Sequence, residues 1–503
     1  MSWRSLEATA KPLSLAAAVA PPMPSLTPTA RNLLVLVIGE VSARFAALAG
    51  TAYLARTLGA DSFGIVVFAA TVVTYFSFAV QFGLDQSGSR EVARNRNARA
   101  AYIFGLVGLR GGLALLCYAV LALLVLTTPL THALRGVLLL QGLTLLVLAA
   151  HLGWAFQGLQ RMGALALATL LAQLAFVASA VTLVRGPQDL VWAPLCYMAA
   201  EVTATVTLLV QYVARFGRPV LALDLATWRR SLGEGLPFFV SRLLRTIGMT
   251  FDILALKWYL SDAAVGLYSA ASRIAFFLLG VLALYFITLN PILARAAARD
   301  RASVGPLVVR SLRLTAIAVI PMGVGGAILA PEIVTTVFGV EYGPAAAPLR
   351  LLIMAMAITM IGSNYRSGLI ASDHQLAETR INAASALLSV VLNLLLIPAL
   401  GLVGAAGAFL ASQALLLGLG YHAFRRHVLA ETLLRHLSRP VAASLVMTLV
   451  VAATPRTPVL LPVVTGIVTY VATILALRAT TVAELLDILV ARRNSPSRGT
   501  EVD

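Results

Sequence analysis

Eight ionisable side chains lie within long apolar stretches of this chain: Glu40, Arg44, Arg110, Glu201, Arg242, Arg245, Asp252 and Arg273. A charge at the middle of a bilayer costs at least about 2.5–3.5 kcal/mol on insertion scales, so each such residue needs a reason to be there. Glu40 and Arg44 are four apart and share a helix face. At about 100° per residue, Arg245 and Asp252 are only about 20° apart around a helix, with Arg242 about 60° from Arg245. These charges form polar stripes on otherwise apolar helices. Arginine suits phosphate, because its planar and permanently charged guanidinium offers paired donors to oxyanions. Asp252, Glu40 and Glu201 suit cation exchange, since burial and a neighbouring arginine pull a carboxyl's proton affinity in opposite directions. A second reading pairs Glu40 with Arg44 and Arg245 with Asp252 as neutralising partners, and lets Arg242 snorkel to the inner surface.

The elements that hold these residues follow from composition. Hydrophobic residues make up 59% of the 503 and charged residues 12%, against about 45–50% and about 25% in an ordinary globular chain. That excludes a soluble enzyme, a disordered chain and a secreted domain. The expected class is an all-α polytopic membrane protein. The net charge of +17 comes from 38 basic residues, of which only Lys11 and Lys257 are lysines. They punctuate apolar runs instead of clustering on a soluble face, so nucleic acid is not an expected partner. Cys117 and Cys196 lie singly in apolar stretches and read as buried small residues. No histidine spacing suits a metal, and no cofactor is expected.

A spanning helix needs about 20 mostly apolar residues. That ruler predicts crossings near 32–54, 63–84, 102–126, 136–157, 164–184 and 190–213, then 236–259, 265–290, 314–337, 348–370, 381–398 and 403–424. Two more fit near 441–454 and 459–477, the first framed by Pro440 and Pro455. With the N-terminus inside, 26 basic residues fall in cytoplasmic segments and 5 on the other side. That asymmetry predicts about fourteen crossings with both termini cytoplasmic, in the cell inner (plasma) membrane. Seven basic residues remain inside helices.

The segments expected are a cytoplasmic tail over 1–30, a six-helix bundle over 31–213, a linker over 214–235, a second six-helix bundle over 236–424, helices 13 and 14 over 425–478, and a tail over 479–503. The proline-rich first segment carries a short apolar run, Leu13 to Ala20, that imitates a signal peptide; Glu7 before it and Pro21 after it favour a tail. Residues 480–493 read as an amphipathic helix on the inner surface, with Arg492 and Arg493 towards membrane lipids. Gly108-x-x-x-Gly112 and Gly401-x-x-Gly404-x-x-Gly407 read as small-residue packing signals. No loop outside the membrane is large enough for a catalytic domain, so an enzyme is not expected.

An internal repeat aligns Leu54-Ala-Arg-Thr-Leu-Gly-Ala-Asp-Ser-Phe-Gly64 with Leu256-Lys-Trp-Tyr-Leu-Ser-Asp-Ala-Ala-Val-Gly266, an offset of 202. Leu54/Leu256, Leu58/Leu260, Gly64/Gly266 and Ala69/Ala271 match. Six crossings per unit leave both units in the same orientation, related by an axis along the membrane normal.

With these segments, Phe82-Gly-Leu-Asp-Gln-Ser-Gly-Ser-Arg-Glu-Val-Ala-Arg94, Phe251-Asp-Ile-Leu and Val265-Gly-Leu-Tyr-Ser-Ala-Ala-Ser-Arg273 carry a resemblance. So do Leu329-Ala-Pro-Glu-Ile-Val-Thr-Thr-Val-Phe-Gly339, Ala345-Ala-Ala-Pro-Leu-Arg350 and Asn393-Leu-Leu-Leu-Ile-Pro-Ala-Leu-Gly-Leu-Val-Gly-Ala-Ala-Gly407. Over roughly residues 30–425 the chain resembles the multidrug/oligosaccharidyl-lipid/polysaccharide exporter superfamily, and within it the O-antigen-type repeat-unit flippases. The resemblance implies two six-helix bundles around a cavity open alternately to each side. It implies a flippase that moves an undecaprenyl-diphosphate-linked oligosaccharide across the membrane for surface polysaccharide biosynthesis. The diphosphate would then meet Arg44, Arg242, Arg245, Arg273 and Arg110. H⁺ or Na⁺ would couple through Asp252, Glu40 or Glu201, and a polysaccharide polymerase and glycosyltransferases would be partners. A lipid II flippase for peptidoglycan and a drug/cation antiporter of the same superfamily are the alternatives.

Overall fold

The computed structural model describes residues 28–94, 99–217, 224–430, 432–455 and 460–477. Of the expected tail over 1–30, residues 1–27 lie outside these, as does the tail over 479–503 with its amphipathic stretch 480–493, whereas 28–30 begin the first helix. Among the described residues there is no strand. The chain begins with α1 (Pro28–Gln81), α2 (Leu84–Arg94) and α3 (Arg99–Thr127), then a broken crossing of α4 (His132–Gly142), α5 (Thr144–Ala149) and α6 (Gly153–Gly158). It continues through α7 (Met162–Leu183), α8 (Ala193–Phe216), α9 (Leu225–Tyr259), α10 (Asp262–Arg299) and α11 (Val304–Ile328). The last helices are α12 (Ala330–Phe338), α13 (Ala346–Ala371), α14 (Gln375–His427), α15 (Leu433–Ala453) and α16 (Leu460–Ala476).

Ten helical stretches among the described residues are long and apolar enough to cross a membrane. Two of the helices, α1 and α14, span 54 and 53 residues. At about 1.5 Å per residue each would be some 80 Å long if straight, more than twice a hydrocarbon core of about 30 Å. Each breaks at a glycine with positive φ, Gly59 (75°) and Gly401 (59°), a region that glycine enters without steric cost. Each is therefore two crossings joined by a kink, which is compatible with the expected fourteen.

Several boundaries differ from the sequence reading: α10 runs on to Arg299, past the expected 290, and α15 starts at Leu433, ahead of the expected 441. Residues 225–235, expected to be linker, are the first three turns of α9, whose start is capped by Asp224 accepting from Ala226 N at 3.0 Å. The crossing expected over 314–337 starts earlier, at Val304, and breaks at Leu329, where α12 turns off with Pro331 in its first turn. The fourth crossing is interrupted at Leu143 and again at Ala150–Leu152. Hydropathy registers burial in lipid but not a break whose freed carbonyls find donors elsewhere in the protein.

The packing signals also divide. A Cβ on Gly404 would overlap the Leu396 carbonyl, so that glycine does permit a close approach. Gly112 and Gly407 have nothing within 4 Å of a Cβ position, and Gly401 serves the turn itself.

One apolar core joins the early and late parts of the chain through Ala55, Phe63, Leu256, Tyr268, Phe338, Tyr342 and Phe409. Two others lie within the first part, around Leu54, Val66, Leu138 and Phe176, and around Leu84, Trp154, Phe156 and Tyr212. A fourth gathers Leu293, Leu312, Tyr365 and Phe424. The fifth seats α15 and α16 on α11 through Ile317, Met447, Val451 and Tyr470. Cys117 and Cys196 are buried and unbridged.

Candidate functional site

The polar residues of α1, α4, α5, α7 and α8 converge on a cavity of about 400 Å³. Thr51, Thr74, Ser77, Gln81, Gln141, Thr144 and Gln173 line it, and Glu201 stands in its wall from α8. Its cation arrives from the other half of the chain: Arg273, on α10, reaches into it. Hydroxyls and amides around one cation and one carboxyl make a polar chamber in which Arg273 can meet an anionic group and Glu201 a cationic one.

Arg44 lies on the same face of α1 as Thr51, since seven residues at about 100° each return to within about 20°. It bonds Glu40 at 2.7 Å and is a third exposed. Its guanidinium rests on Gly280 of α10, where a Cβ would displace it, and the neighbouring Phe45 meets Phe277 edge-on at 4.8 Å. Arg44 and Arg273 thus share the α1/α10 seam.

The remaining sequence-predicted residues go elsewhere. Arg242 stacks on Phe78, its guanidinium carbon 4.9 Å from the ring centroid. Arg245 enters a separate small pocket of about 60 Å³ with Thr359, Ser363, Arg366, Asn382 and Gln413. Arg366, one of the seven basic residues inside helices, was not singled out from sequence, although its place in the apolar run 348–370 is the same signal that marked the others. It bonds Glu378 at 2.8 Å, and Asn382 donates to that same carboxylate at 2.5 Å.

Asp252 does not pair with Arg245. Tyr268 donates to its carboxylate, and Ile253 N donates to its Oδ1 at 2.8 Å. Seven residues separate the two charges along the helix, about 10.5 Å. They share a face but not a contact, and the donor came from α10.

Arg110 is not in the cavity either. It is 1% exposed and held on three sides: Asp85 at 3.1 Å, Leu148 O at 2.9 Å and His151 O at 3.3 Å. It fills the break between α5 and α6, where helix termination leaves carbonyls without partners.

Two seals close the seam between the halves. On the side of the Gly59 kink, Arg56 donates to the Thr336 and Val337 carbonyls at the end of α12, the latter at 2.9 Å. In return Glu341 accepts from Ala60 N at 3.1 Å and Tyr342 donates to Ala55 O at 2.8 Å. Each side of the seam thus satisfies backbone groups at the other's helix ends. At the opposite end Gly83 and Gly235 pack so closely that a Cβ on either would strike backbone. There Phe82 stacks on Phe239 at 4.9 Å and Arg90 lies over Phe238 at 5.0 Å.

A multi-crossing helical protein with a polar chamber among its helices has the architecture of a membrane transporter, and among the described residues no part of it provides a soluble catalytic domain. The chain belongs to the polysaccharide biosynthesis protein family, which residues 29–297 match. Its fold is similar to the lipid II flippase MurJ in an inward closed conformation, with TM-score 0.73 at 11% identity over 91% of this chain and 100% of that one. It is also similar to an inward-facing multidrug resistance MATE family transporter of the MOP superfamily, at 0.62 and 15% over 78% and 98%. A MOP superfamily transporter from Pyrococcus furiosus gives 0.56 and 14% over 80% and 96%. No curated protein matches the chain. At such identities the likeness is one of fold, and that fold belongs to flippases and transporters.

Proposed function

We propose that the chain is a flippase that carries an undecaprenyl-diphosphate-linked oligosaccharide repeat unit across the inner membrane by alternating access, for surface polysaccharide biosynthesis. The observation that supports this most directly is Arg273 of α10 reaching into the polar chamber built by α1, α4, α5, α7 and α8. A cation supplied by one half to a chamber in the other is a contact that a rocking motion makes and breaks, and a diphosphate is its natural ligand. Residues 31–213 and 236–424 act as the two moving bundles, with α15 and α16 appended. Arg44 serves the same anion from the α1 side. Arg242, in its aromatic seal, and Arg245, in its own pocket, would meet the head group only when the halves part. Glu201 is the carboxyl best placed to exchange H⁺ or Na⁺ beside the substrate. Polymerase and glycosyltransferases would work on the same lipid carrier.

The test is export of the polysaccharide by Arg44→Ala and Arg273→Ala at matched protein level. Both should lose export, and Arg→Lys should restore it only in part because the bidentate fork is gone. Normal export by both alanine variants would remove the diphosphate from this chamber.

The fold likeness to MurJ favours transport of lipid II as the second reading. Rescue of cells depleted of their lipid II flippase would decide for it.

A further inference from the structure

We propose that Arg110, with Asp85, is a positioning pair that ties the wall of the chamber to the cytoplasmic seal. Each link is a contact. Gln141, Thr144, Leu145 and Leu148 form one wall of the chamber on α4 and α5. Behind that wall the guanidinium of Arg110 donates to the carbonyls of Leu148 and His151, which frame the non-helical stretch between α5 and α6. The same guanidinium binds Asp85, in the first turn of α2. The two helices on either side are packed without slack. Gly88 of α2 faces the ring of Trp154 on α6, where a Cβ would sit 2.7 Å from it. A Cβ on Gly158 of α6 would stand 2.5 Å from the Ser89 carbonyl on α2. That same end of α2 adjoins the seal: Phe82 and Gly83 directly precede it and pack on Phe239 and Gly235 of α9, and Arg90, one turn further on, covers Phe238.

A fully buried arginine is costly unless it is paired and hydrogen-bonded. A helix break of this kind could be satisfied by water or by a hydroxyl. A guanidinium does more, because its rigid fork fixes the wall's carbonyls and Asp85 relative to one another. Movement of the wall on filling the chamber therefore displaces the start of α2, and α2 carries that displacement to α9. Phe82 and Gly83 are both at positive φ (40° and 72°), a conformation that a bulky residue holds only when its surroundings enforce it. The turn joining chamber to seal is thus already set by its surroundings.

This inference rests on the alternating-access reading, and its test uses no substrate, so the two fail separately. Cysteines at Arg90 and Phe238, in a background without Cys117 and Cys196, report the seal through a short bifunctional thiol reagent in membrane vesicles. Leu148→Trp fills the chamber from the wall. With Asp85 and Arg110 intact, Leu148→Trp should lower the cross-linking yield about fivefold, the lower range of ordinary coupling between sites. With Asp85→Ala added, the yield should no longer respond to Leu148→Trp, and Asp85→Glu should restore the response. Asp85→Asn replaces the alanine variant should that one not accumulate. An equal response with and without the pair would mean that the wall acts through α1, where Gln81 of the chamber adjoins Phe82 of the seal, and would leave Arg110 a purely structural plug. No response in any background would equally overturn the proposal.

Discussion

Gly64 and Gly266, equivalent positions 202 residues apart in the internal repeat, pack against each other backbone to backbone. A Cβ on Gly64 would strike the Asp262 carbonyl and stand 3.0 Å from Gly266 N, and a Cβ on Gly266 would strike the Ala60 carbonyl. Equivalent residues of two repeats can touch only where the pseudo-two-fold axis passes between them. These glycines therefore mark that axis, and they do so between α1 and α10, the helices that carry Arg44 and Arg273.

Gly64→Ala and Gly266→Ala should each lower the temperature of unfolding in detergent, by the equivalent of about 1–3 kcal/mol for an overpacked contact. Gly111→Ala is the control, because nothing lies within 4 Å of a Cβ there. It should be neutral or stabilising by about 0.5–1 kcal/mol, the ordinary gain of alanine over glycine within a helix. Equal effects at all three positions would deny the close contact.

Tyr268→Phe should destabilise the protein by about 1–3 kcal/mol, since it leaves the buried Asp252 carboxylate without its side-chain donor. Asp252→Asn with Tyr268→Phe should cost less than the sum of the single changes, with a coupling of about 0.5–3 kcal/mol. Arg245→Leu should show no such coupling to Asp252. Thermal unfolding of the purified variants measures all three.

Arg56→Ala and Glu341→Ala remove opposite halves of the reciprocal cap. Either should shift the protein towards the state open on that side. A cysteine placed at Ser77 in the chamber should then react faster with an impermeant thiol reagent added outside intact cells. Unchanged labelling in both variants would show that the caps do not hold the seal.

Orientation is testable at the two ends of the seam. Cysteines at Ser261 and Val340, both exposed, should react from outside intact cells; cysteines at Arg230 and Ala302, also exposed, should be protected until the membrane is opened. Labelling of the second pair in intact cells would invert the topology.

The sequence by itself determined the class of the molecule. Apolar runs and alternating basic loops are properties of single segments, and they predicted a helical, many-crossing chain; the observed helices cover the expected crossings but several extend beyond them, as α9 and α10 do, or break within them, as α4 to α6 do. The resemblance carried by Leu54–Gly64, Phe82–Arg94 and Val265–Arg273 pointed to the family that residues 29–297 match. Tertiary structure decided which charge meets which. Helical phase set Arg245 and Asp252 on one face, but a face is not a partner, and Tyr268 reached Asp252 from another helix. Arg110 looked like its fellow arginines because hydropathy cannot distinguish a cation that lines a chamber from one that plugs a helix break. The Asp85 beside it was visible only as part of a motif. Arg273 and Glu201 had no sequence relation at all, being 72 residues apart on helices of different halves, yet they line the same chamber. Periodicity encodes the direction in which a side chain leaves its own helix; the groups that await it there are fixed by how the helices pack, and that depends on contacts hundreds of residues apart.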